Sequence, residues 1–204
     1  YLMATKLKKL YEGKAKIIYA KNSNQVIATY KNDATAFNNL KKGSIKNKGA
    51  INNAISSYLF QILNHCDIPT HFIKKIDKKS QLLKKVDIIP IEVLVRNLFA
   101  GSLSKKFGIK EGTPLSDTLI EYCLKSDELG DPHISSEHIL NLGLCDFDEL
   151  ELIDEYSLRI NDVLRSTFFS IGINLIDFKL EFGICKKTNE PVSYTHLRAH
   201  ETID

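Results

Sequence analysis

Charged and apolar side chains alternate along residues 173–183, and this pattern constrains the fold more than any other part of the sequence. The charged members are Asp177, Lys179 and Glu181, and the apolar members are Ile176, Phe178, Leu180 and Phe182. A period of two predicts a β-strand with one buried face. A charged strand face is commonly a solvated surface, but lysine beside carboxylates also suits a nucleotide site, where lysine binds phosphate oxygens and a carboxylate binds Mg²⁺. The residues alone leave both interpretations open.

The rest of the chain predicts a mixture of strands and helices. Strands are expected over residues 15–19 and 26–30, as an antiparallel hairpin, and over 71–76, 82–89 and 91–99, with Pro90 at a strand end or a bulge. Beyond Gly101 the pattern becomes more helical. Asp146 and Glu149 form a capping box for a long helix that ends at Gly172.

Apolar residues at spacings of three and four predict an amphipathic helix from Gly49 to Cys66. The predicted buried face consists of Ile51, Ile55, Leu59, Ile62 and Cys66.

Length and cysteine usage bound the class of protein. The 204 residues suffice for one large domain or two small ones, and a chain of this size needs no disulfide or metal to fold. The four cysteines lack metal-ligand spacing, which favours a reducing compartment. No apolar run reaches the roughly 18 residues of a membrane span. We therefore expect a cytoplasmic protein.

Lysines are concentrated in the first part of the chain. Residues 1–86 hold 17 lysines and 4 acidic residues, whereas residues 87–204 hold 11 basic and 21 acidic residues. A basic half is compatible with nucleic acid, an anionic membrane surface, a phosphorylated small substrate or a solvated lysine-rich face. No arginine precedes Arg96, which disfavours RNA and DNA, because nucleic-acid surfaces usually combine arginine with stacking rings.

Gly13 lies directly before a predicted strand, and Lys14 and Lys16 follow it on one face. Such a lysine pair suits a polyphosphate, but it also suits a solvated hairpin. The segment is not a P-loop, because Gly-x-x-x-x-Gly-Lys-Ser/Thr occurs nowhere in the chain.

Arg96 interrupts the apolar strand predicted for residues 91–99. An unpaired guanidinium there would cost several kcal/mol, so the side chain needs an anion. That anion is either a structural carboxylate or a phosphomonoester, to which Gly101 and Ser102 would add a backbone N–H and a hydroxyl.

These segments closely resemble the SAICAR synthetase (phosphoribosylaminoimidazole-succinocarboxamide synthase) family over about residues 7–183. The matching segments follow the family's order: Gly13-Lys14-Ala15-Lys16, Lys48 to Asn53, Ile89 to Glu92 and on through Arg96 to Ser102, Gly130-Asp131-Pro132, and Asp177 to Gly183. The resemblance implies an α+β fold. An N-terminal antiparallel β unit, like the small lobe of kinases and ATP-grasp enzymes, would pack on a larger α+β part with ATP in the cleft between them.

The implied units are a β-rich lobe with one helix over residues 1–86 and an ATP and substrate lobe over residues 87–183. The implied reaction belongs to de novo purine biosynthesis. ATP, carboxyaminoimidazole ribonucleotide and L-aspartate would give SAICAR, ADP and phosphate through an acyl phosphate. No nucleic-acid or membrane partner is implied, and a homo-oligomer is allowed.

The resemblance also assigns roles to individual residues. They are Lys14, Lys16, Lys179 and Glu181 for ATP, Glu181 for Mg²⁺, Arg96, Ser102 and Asp131 for the ribonucleotide, and Lys179 and Asp177 for catalysis.

Residues 184–204 are expected to be a truncated or non-native tail. The family would continue with Asp-Glu-x-Ser-Pro-Asp and a second metal carboxylate, whereas residues 193–204 resemble an adaptor-derived read-through. His196 and His200 are therefore not interpreted as a metal pair. We expect impaired turnover, which keeps a nucleotide-binding module without turnover as the alternative. A basic RNA-binding protein is a third, poorly supported hypothesis.

Overall fold

The computed structural model describes residues 7–36 and 41–194, and within them the α+β fold is confirmed. The strands are β1 (Lys9–Glu12), β2 (Lys16–Ala20), β3 (Gln25–Tyr30), β4 (Asp33–Ala36), β5 (Lys41–Ser44), β6 (Phe72–Lys75), β7 (Ser80–Lys84), β8 (Val86–Leu98), β9 (Pro114–Leu124), β10 (His133–Ile134), β11 (Asp177–Cys185) and β12 (Glu190–Ser193). The helices are α1 (Lys48–His65), α2 (Gly101–Phe107), α3 (Ser136–Asn141) and α4 (Phe147–Phe169), with a 3-10 turn at Asp127–Leu129. No described helix is both long and apolar enough to cross a membrane.

The first sheet has the strand order β1-β2-β3-β7-β6, and β4 pairs separately with β5. The predicted hairpin is confirmed, because β2 and β3 pair antiparallel with Lys16 opposite Tyr30. α1 packs on this sheet, where Phe60 stacks against Phe72 of β6. The start of α1 approaches the sheet closely, since a Cβ on Gly49 would lie 2.6 Å from the Tyr30 carbonyl oxygen. Only glycine fits there without a shift of the backbone.

The predicted inward face of α1 is wrong in part. Leu59 is buried, but Ile51, Ile55 and Cys66 are exposed. The residues that face inward are Gly49, Asn53, Ser56, Ser57, Leu59, Phe60 and Leu63. Polar members of this face meet a buried amide of β7, because Gln81 Nε2 donates to Ser57 Oγ at 3.1 Å and to the Asn53 carbonyl. A buried amide must be hydrogen-bonded, so the bonds from Gln81 help to turn the polar side of α1 inward.

The second sheet has the strand order β10-β9-β8-β11-β12, with β8 at its centre. Of the two alternatives predicted for Pro90, the strand end is wrong and the bulge is confirmed, because β8 runs through Pro90 and the break in the chain's strands lies at Lys85. The register between β8 and β11 shifts between Glu181 and Gly183, so Pro90 lies at a bulge, as the missing N–H allows.

α4 covers the apolar face of the second sheet. Its predicted capping box is confirmed: Asp146 Oδ1 accepts from the Glu149 N–H at 2.8 Å, and Glu149 Oε2 accepts from the Asp146 N–H at 2.9 Å. The core beneath it includes Ile153, Ile160, Leu164, Phe178, Leu180 and Phe182. β9, in contrast, was not expected. Most of its residues are partly exposed on both faces, so the sequence shows no clear alternation there.

β12 joins the two sheets. It pairs with β11, with Val192 opposite Gly183, and the buried Ser193 bridges to Thr70 just before β6. The Ser193 carbonyl also accepts from the His71 N–H at 3.0 Å. Residues 184–193, which the sequence analysis assigned to a tail, thus form sheet structure. The rest of that tail, from Thr195 with His196 and His200, lies outside the described residues.

Candidate active site

One face of the second sheet carries charged side chains from three neighbouring strands. They are Glu92 and Arg96 on β8, Glu121 on β9, and Asp177, Lys179 and Glu181 on β11. The alternation predicted for β11 is confirmed, because Phe178, Leu180 and Phe182 point into the core between the charged positions. Antiparallel pairing then sets Asp177 opposite Arg96 and Glu181 opposite Glu92. The charged positions of the separate strands therefore lie side by side on one face of the sheet.

Two lysines and two glutamates form one cluster at this face. Lys179 Nζ lies 2.5 Å from Glu92 Oε1 and 3.9 Å from Glu181 Oε1, while Lys125 Nζ contacts Glu181 Oε2. Burial alone would raise the pKa of the Glu181 carboxyl, but the hydrogen bonds from Lys125 and Tyr194 and the nearby Lys179 charge outweigh it, so the pKa is lowered. Glu181 therefore stays ionised. Lys179 remains partly exposed, so its ammonium is accessible to an anionic ligand.

Arg96 is held by two carboxylates. Its side chain is 7% exposed, with Nε donating to Glu121 Oε2 at 2.7 Å and Nη1 to Asp177 Oδ2 at 3.0 Å. Nη2 lies 3.4 Å from Ser102 Oγ. Of the two anions that the sequence left open for Arg96, the structure contains the structural carboxylates, with Ser102 close by. A guanidinium has five N–H groups, so these three bonds leave one N–H on each terminal nitrogen.

Asp131 lies beside the same face, in the loop after β9. Its Oδ1 accepts from the Ser126 N–H at 2.9 Å. The pKa of the Cys123 thiol is raised by burial and then by the negative charges of Glu92, Glu121 and Asp131. The Asp131 carboxylate therefore lies close enough to Cys123 of β9 for its charge to act there.

The two N-terminal lysines differ in their surroundings. Lys14 is exposed on the turn between β1 and β2. Lys16, at the start of β2, is half-buried and close enough to His71 for its charge to lower the pKa of that imidazole. The ring of His71 in turn packs edge-on against the ring of Tyr194, which contacts Lys125. The charge of Lys16 thus reaches His71, and the contacts of His71 with Tyr194 and of Tyr194 with Lys125 lead from there to the charged cluster.

The fit of the charged face to Mg²⁺ rests on its carboxylates. The described residues contain no group of three or more His, Cys, Asp or Glu side chains arranged to hold a metal ion. Glu92 and Glu181 do lie directly opposite each other on neighbouring strands. Mg²⁺ is usually held by one or two carboxylates together with substrate phosphates, so this pair suits the ion once a nucleotide is bound.

Sequence reasoning missed three residues of the charged face: Glu92, Glu121 and Lys125. Glu92 stands two positions from Leu94 and four from Arg96 on one strand, so the alternation of β8 could have placed it beside Arg96. Glu121 and Lys125 belong to β9 and the residue after it, in the strand region that the sequence analysis did not expect.

A surface cavity of about 870 Å³ lies elsewhere, between β9 and the end of α4. Asn97, Asp117, Arg165 and Phe169 are among its lining residues, and none of the predicted site residues lines it. It lies near the opposite face of the second sheet, on the side of α4, so we do not assign the reaction to it.

Comparison with known proteins identifies the fold. A profile of the SAICAR synthetase family matches residues 9–192 and stops one residue before the stretch that resembles an adaptor read-through. The phosphoribosylaminoimidazole-succinocarboxamide synthase of Clostridium botulinum (strain Alaska E43 / Type E3) is 52% identical over 181 residues, which cover 88% of this chain and 77% of the relative.

Solved structures agree. The crystal structure of phosphoribosylaminoimidazole-succinocarboxamide synthase from Ehrlichia chaffeensis has a TM-score of 0.87 at 47% identity, covering 92% of this chain and 80% of that one. A SAICAR synthetase (Type-2) in complex with ADP has a TM-score of 0.86 at 39% identity, covering 91% and 78%. Profile, sequence identity and fold all agree over nearly the whole described chain, which therefore belongs to the SAICAR synthetase family.

Proposed function

We propose that this chain joins L-aspartate to carboxyaminoimidazole ribonucleotide at the expense of ATP, giving SAICAR, ADP and phosphate. The observation that carries the proposal is the charged face of the second sheet in a chain of this family, where lysine, arginine and carboxylates from β8, β9 and β11 converge. The reaction needs this mixture because it brings together a polyphosphate, a phosphomonoester and two carboxylic acids. The free thiols of the described residues agree with a reducing cytoplasm.

ATP is proposed to bind at the junction of the sheets. Lys16 of β2 lies near His71, Lys14 lies on the adjacent turn, and Lys179 lies in the charged cluster of the second sheet. Ammonium groups on both sides of a triphosphate would neutralise its charge. The structure of a SAICAR synthetase with ADP supports a nucleotide site in this fold.

Glu181 is proposed to hold Mg²⁺, with Glu92 opposite it as a second ligand. When bound, the ion would neutralise negative charge on the phosphates. In the structure Lys125 forms an ion pair with Glu181, and Lys179 forms one with Glu92. When nucleotide and metal bind, the two ammonium groups would leave these carboxylates and bind phosphate oxygens instead.

The ribonucleotide is proposed to bind near Arg96, Ser102 and Asp131. Arg96 keeps two N–H groups beyond those bonded to Glu121, Asp177 and Ser102, and its orientation is fixed by those partners. A guanidinium fixed in this way can meet a phosphate without reorganising. Asp177 holds Arg96 from one side and lies two residues from Lys179 on the same face, which puts it between the proposed substrate and ATP.

The chemistry then proceeds in two displacements. A carboxylate oxygen of the ribonucleotide attacks the γ-phosphorus of ATP, ADP leaves, and an acyl phosphate forms. The aspartate amine attacks the acyl carbon, phosphate leaves with the C–O bond electrons, and the amine loses a proton to form the amide. Lys179 would stabilise the charge on the transferring phosphoryl group, because catalysis of phosphoryl transfer depends mainly on positioning and electrostatics.

Product analysis tests the proposal. ATP, Mg²⁺, the ribonucleotide and L-aspartate should together give ADP and the succinocarboxamide, and omitting any one substrate should abolish the product. Replacing aspartate with hydroxylamine should trap the acyl phosphate as a hydroxamate. Both the 204-residue chain and a version continued beyond residue 192 with the Clostridium sequence should be assayed.

Lys179→Met should lower kcat by about 100-fold or more, as removal of one transition-state donor does. Lys187→Met, on the exposed turn between β11 and β12, is the matched control and should keep wild-type rates. ADP binding without product in the extended version would instead favour a nucleotide-binding module without turnover.

A further inference from the structure

A pair of amide side chains lies on the α4 side of the second sheet, directly behind Arg96. Asn97 follows Arg96 on β8, so strand alternation turns its side chain to the opposite face of the sheet. There its Nδ2 donates to Asn161 Oδ1 at 2.8 Å, and Asn161 Nδ2 donates back to Asn97 Oδ1 at 3.0 Å. Asn161 lies in α4 and is 1% exposed. The two amides thus join β8 to α4 by reciprocal hydrogen bonds.

The amide pair also reaches the strands on either side of β8. Thr118 Oγ1 of β9 donates to Asn97 Oδ1 at 3.2 Å and accepts from Asn161 Nδ2 at 3.0 Å. Asn97 Nδ2 donates to the Leu175 carbonyl at 3.3 Å, and the Asn97 backbone N–H donates to the Ile176 carbonyl at 2.8 Å. Every N–H and every oxygen of the two amides is therefore hydrogen-bonded within the network. A buried polar network that is fully satisfied in this way specifies one arrangement of the elements it joins.

The network lies where the regular pairing of the strands ends. β11 begins at Asp177, opposite Arg96, and the register between β8 and β9 shifts directly after the pair of Arg96 and Leu119. Arg96 is therefore the last residue of β8 that is paired in regular register with both neighbouring strands. Beyond it, Asn97 connects β8 to the residues before β11, and Thr118 connects β8 to β9. The network thus holds the three strands together at the point where the sheet pairing alone fixes them least.

The same three strands carry the groups that bind the guanidinium of Arg96. Glu121 of β9 accepts from its Nε, and Asp177 of β11 accepts from its Nη1. Asp177 directly follows Ile176, whose carbonyl accepts from the Asn97 N–H. A shift of β9 or β11 relative to β8 would therefore lengthen a bond to Arg96. α4 gives the network a fixed reference, because it is capped at its start and packs on the core beneath the sheet.

We propose that Asn97, acting with Asn161 and Thr118, is a positioning residue for Arg96. The network sets the distances among β8, β9 and the start of β11, and so keeps the guanidinium between Glu121 and Asp177 with its remaining N–H groups in a fixed orientation. All three side chains lie on the α4 side of the sheet, so they act through Arg96 rather than by contact with substrate. The consequence for ribonucleotide binding rests on the function proposed above, whereas the position of Arg96 does not.

Exchange of the Arg96 Nε–H proton with water tests this position without any substrate. The chain has four arginines, so the 204-residue protein with isotope-labelled arginine gives few Nε–H signals, and Arg96→Lys identifies the signal of Arg96 by its loss. In the wild type this proton is bound to Glu121 in a buried position, and it should exchange slowly. In Asn97→Ala it should exchange at least about tenfold faster, because the strands around Arg96 open more often.

Matched variants separate positioning from stability. Thr118→Val removes only the hydroxyl, so it should fold even where Asn97→Ala does not, and it should also speed the exchange. Thr118→Ser keeps the hydroxyl and should behave as the wild type. Ile153→Ala is the control for stability, since Ile153 is fully buried on α4 but lies outside the network. It should lower the melting temperature and leave the exchange of the Arg96 proton unchanged well below that temperature.

Steady-state kinetics extend the test to the ribonucleotide, with the same variants made in whichever of the two proteins assayed above turns over. Asn97→Ala and Thr118→Val should raise the KM for the ribonucleotide about tenfold, because a misplaced guanidinium binds the phosphate less well. The KM for ATP should not change, since Lys14, Lys16 and Lys179 lie outside the network. Ile153→Ala should change neither KM.

Three results would overturn the proposal. The first is an Arg96 proton that exchanges at the wild-type rate in the folded variants of Asn97 and Thr118. The second is an Ile153→Ala variant that speeds the exchange as much as they do, which would mean that the network only stabilises the fold. The third is an unchanged KM for the ribonucleotide in variants whose exchange is faster. A wild type that forms no succinocarboxamide would instead contradict the proposed function, and the exchange rates would still decide on the position of Arg96.

Discussion

At the scale of single residues, the charges of the site are defined by their partners. Arg96 has the partners Glu121, Asp177 and Ser102. His71 is buried beside the positive charges of Lys16 and Lys84, and its Nδ1 lies 3.1 Å from the Ser193 carbonyl. A carbonyl only accepts, so Nδ1 carries a proton, and burial keeps the ring neutral because it lowers the pKa of His71 to about 3. Variants of Arg96 and His71 can therefore separate effects on stability from effects on activity.

Arg96→Ala should lose most activity through a higher KM for the ribonucleotide, and Arg96→Lys should not restore it, because an ammonium lacks the bidentate geometry. The loss of Arg96 also leaves Glu121 and Asp177 unpaired and lowers the melting temperature. The double variant Arg96→Ala/Glu121→Gln should regain part of the stability and none of the activity. Steady-state kinetics and thermal unfolding together decide: an unchanged KM and kcat in Arg96→Ala would remove Arg96 from the site.

His71 should make stability depend on pH. Burial, and then the charge of Lys16, lower its pKa from 6.5 to about 3 in the folded protein, whereas the unfolded chain takes up a proton near pH 6.5. The free energy of unfolding therefore has its full value well above pH 6.5 and decreases as the pH falls. At pH 5 the decrease is about 2 kcal/mol. Urea unfolding should show this slope in the wild type and less of it in His71→Gln. Equal slopes would mean that His71 remains neutral or charged in both states.

At the scale of elements, the start of a helix can be predicted from its local sequence, whereas its buried face is determined by tertiary contacts. The capping box of α4 is encoded by two residues three positions apart, and it forms as predicted. α1 shows the opposite case, because its inward face was predicted from apolar spacing, yet the structure buries Asn53 and Ser57 beside Gln81 and exposes Ile51. A capping box forms between residues of one helical turn and does not depend on packing, whereas the buried face of a helix depends on the elements that pack against it.

Asp146→Ala should lower the free energy of unfolding by about 1 kcal/mol, because it leaves the Glu149 N–H at the start of α4 without its acceptor. Asp148→Ala is the matched control, since Asp148 lies in the same first turn but outside the capping pair, and it should cost less. The midpoint of urea unfolding measures both. Equal losses would show that charge near the helix start, rather than the cap, stabilises α4.

At the scale of the whole molecule, the charged face belongs to a sheet whose last strand ends near the junction. β12 ends at Ser193, which is buried against the segment before β6, and Tyr194 contacts Lys125 beside Glu181. The Clostridium relative has further sequence outside the match, since the match covers 77% of it. Tyr194, the residue directly after β12, thus contacts the cluster of Glu181 through Lys125.

A chain continued beyond residue 192 with the sequence of the Clostridium relative should turn over at least about 100-fold faster than the 204-residue chain. The resemblance to the family implies a second metal carboxylate in that region, and phosphoryl transfer depends on neutralising charge. ADP affinity should change less, because Lys14, Lys16 and Lys179 are present in both. Initial rates and ADP titrations of the two proteins test this, and comparable turnover by both would show that Glu181 and its neighbours suffice.

The sequence alone determined the α+β class, the first hairpin, α4 with its cap, the alternation of β11 and the family. Each of these depends on residues that are close together in the sequence or on a motif contained in one segment. The tertiary structure decided what depends on distant residues: which face of α1 is buried, that β9 is a strand, and that Arg96 bonds to Glu121 and Asp177, 25 and 81 residues away. Pairing of β8, β9 and β11 brings these charges together, and sheet register is set by the packing of whole strands rather than by any one of them.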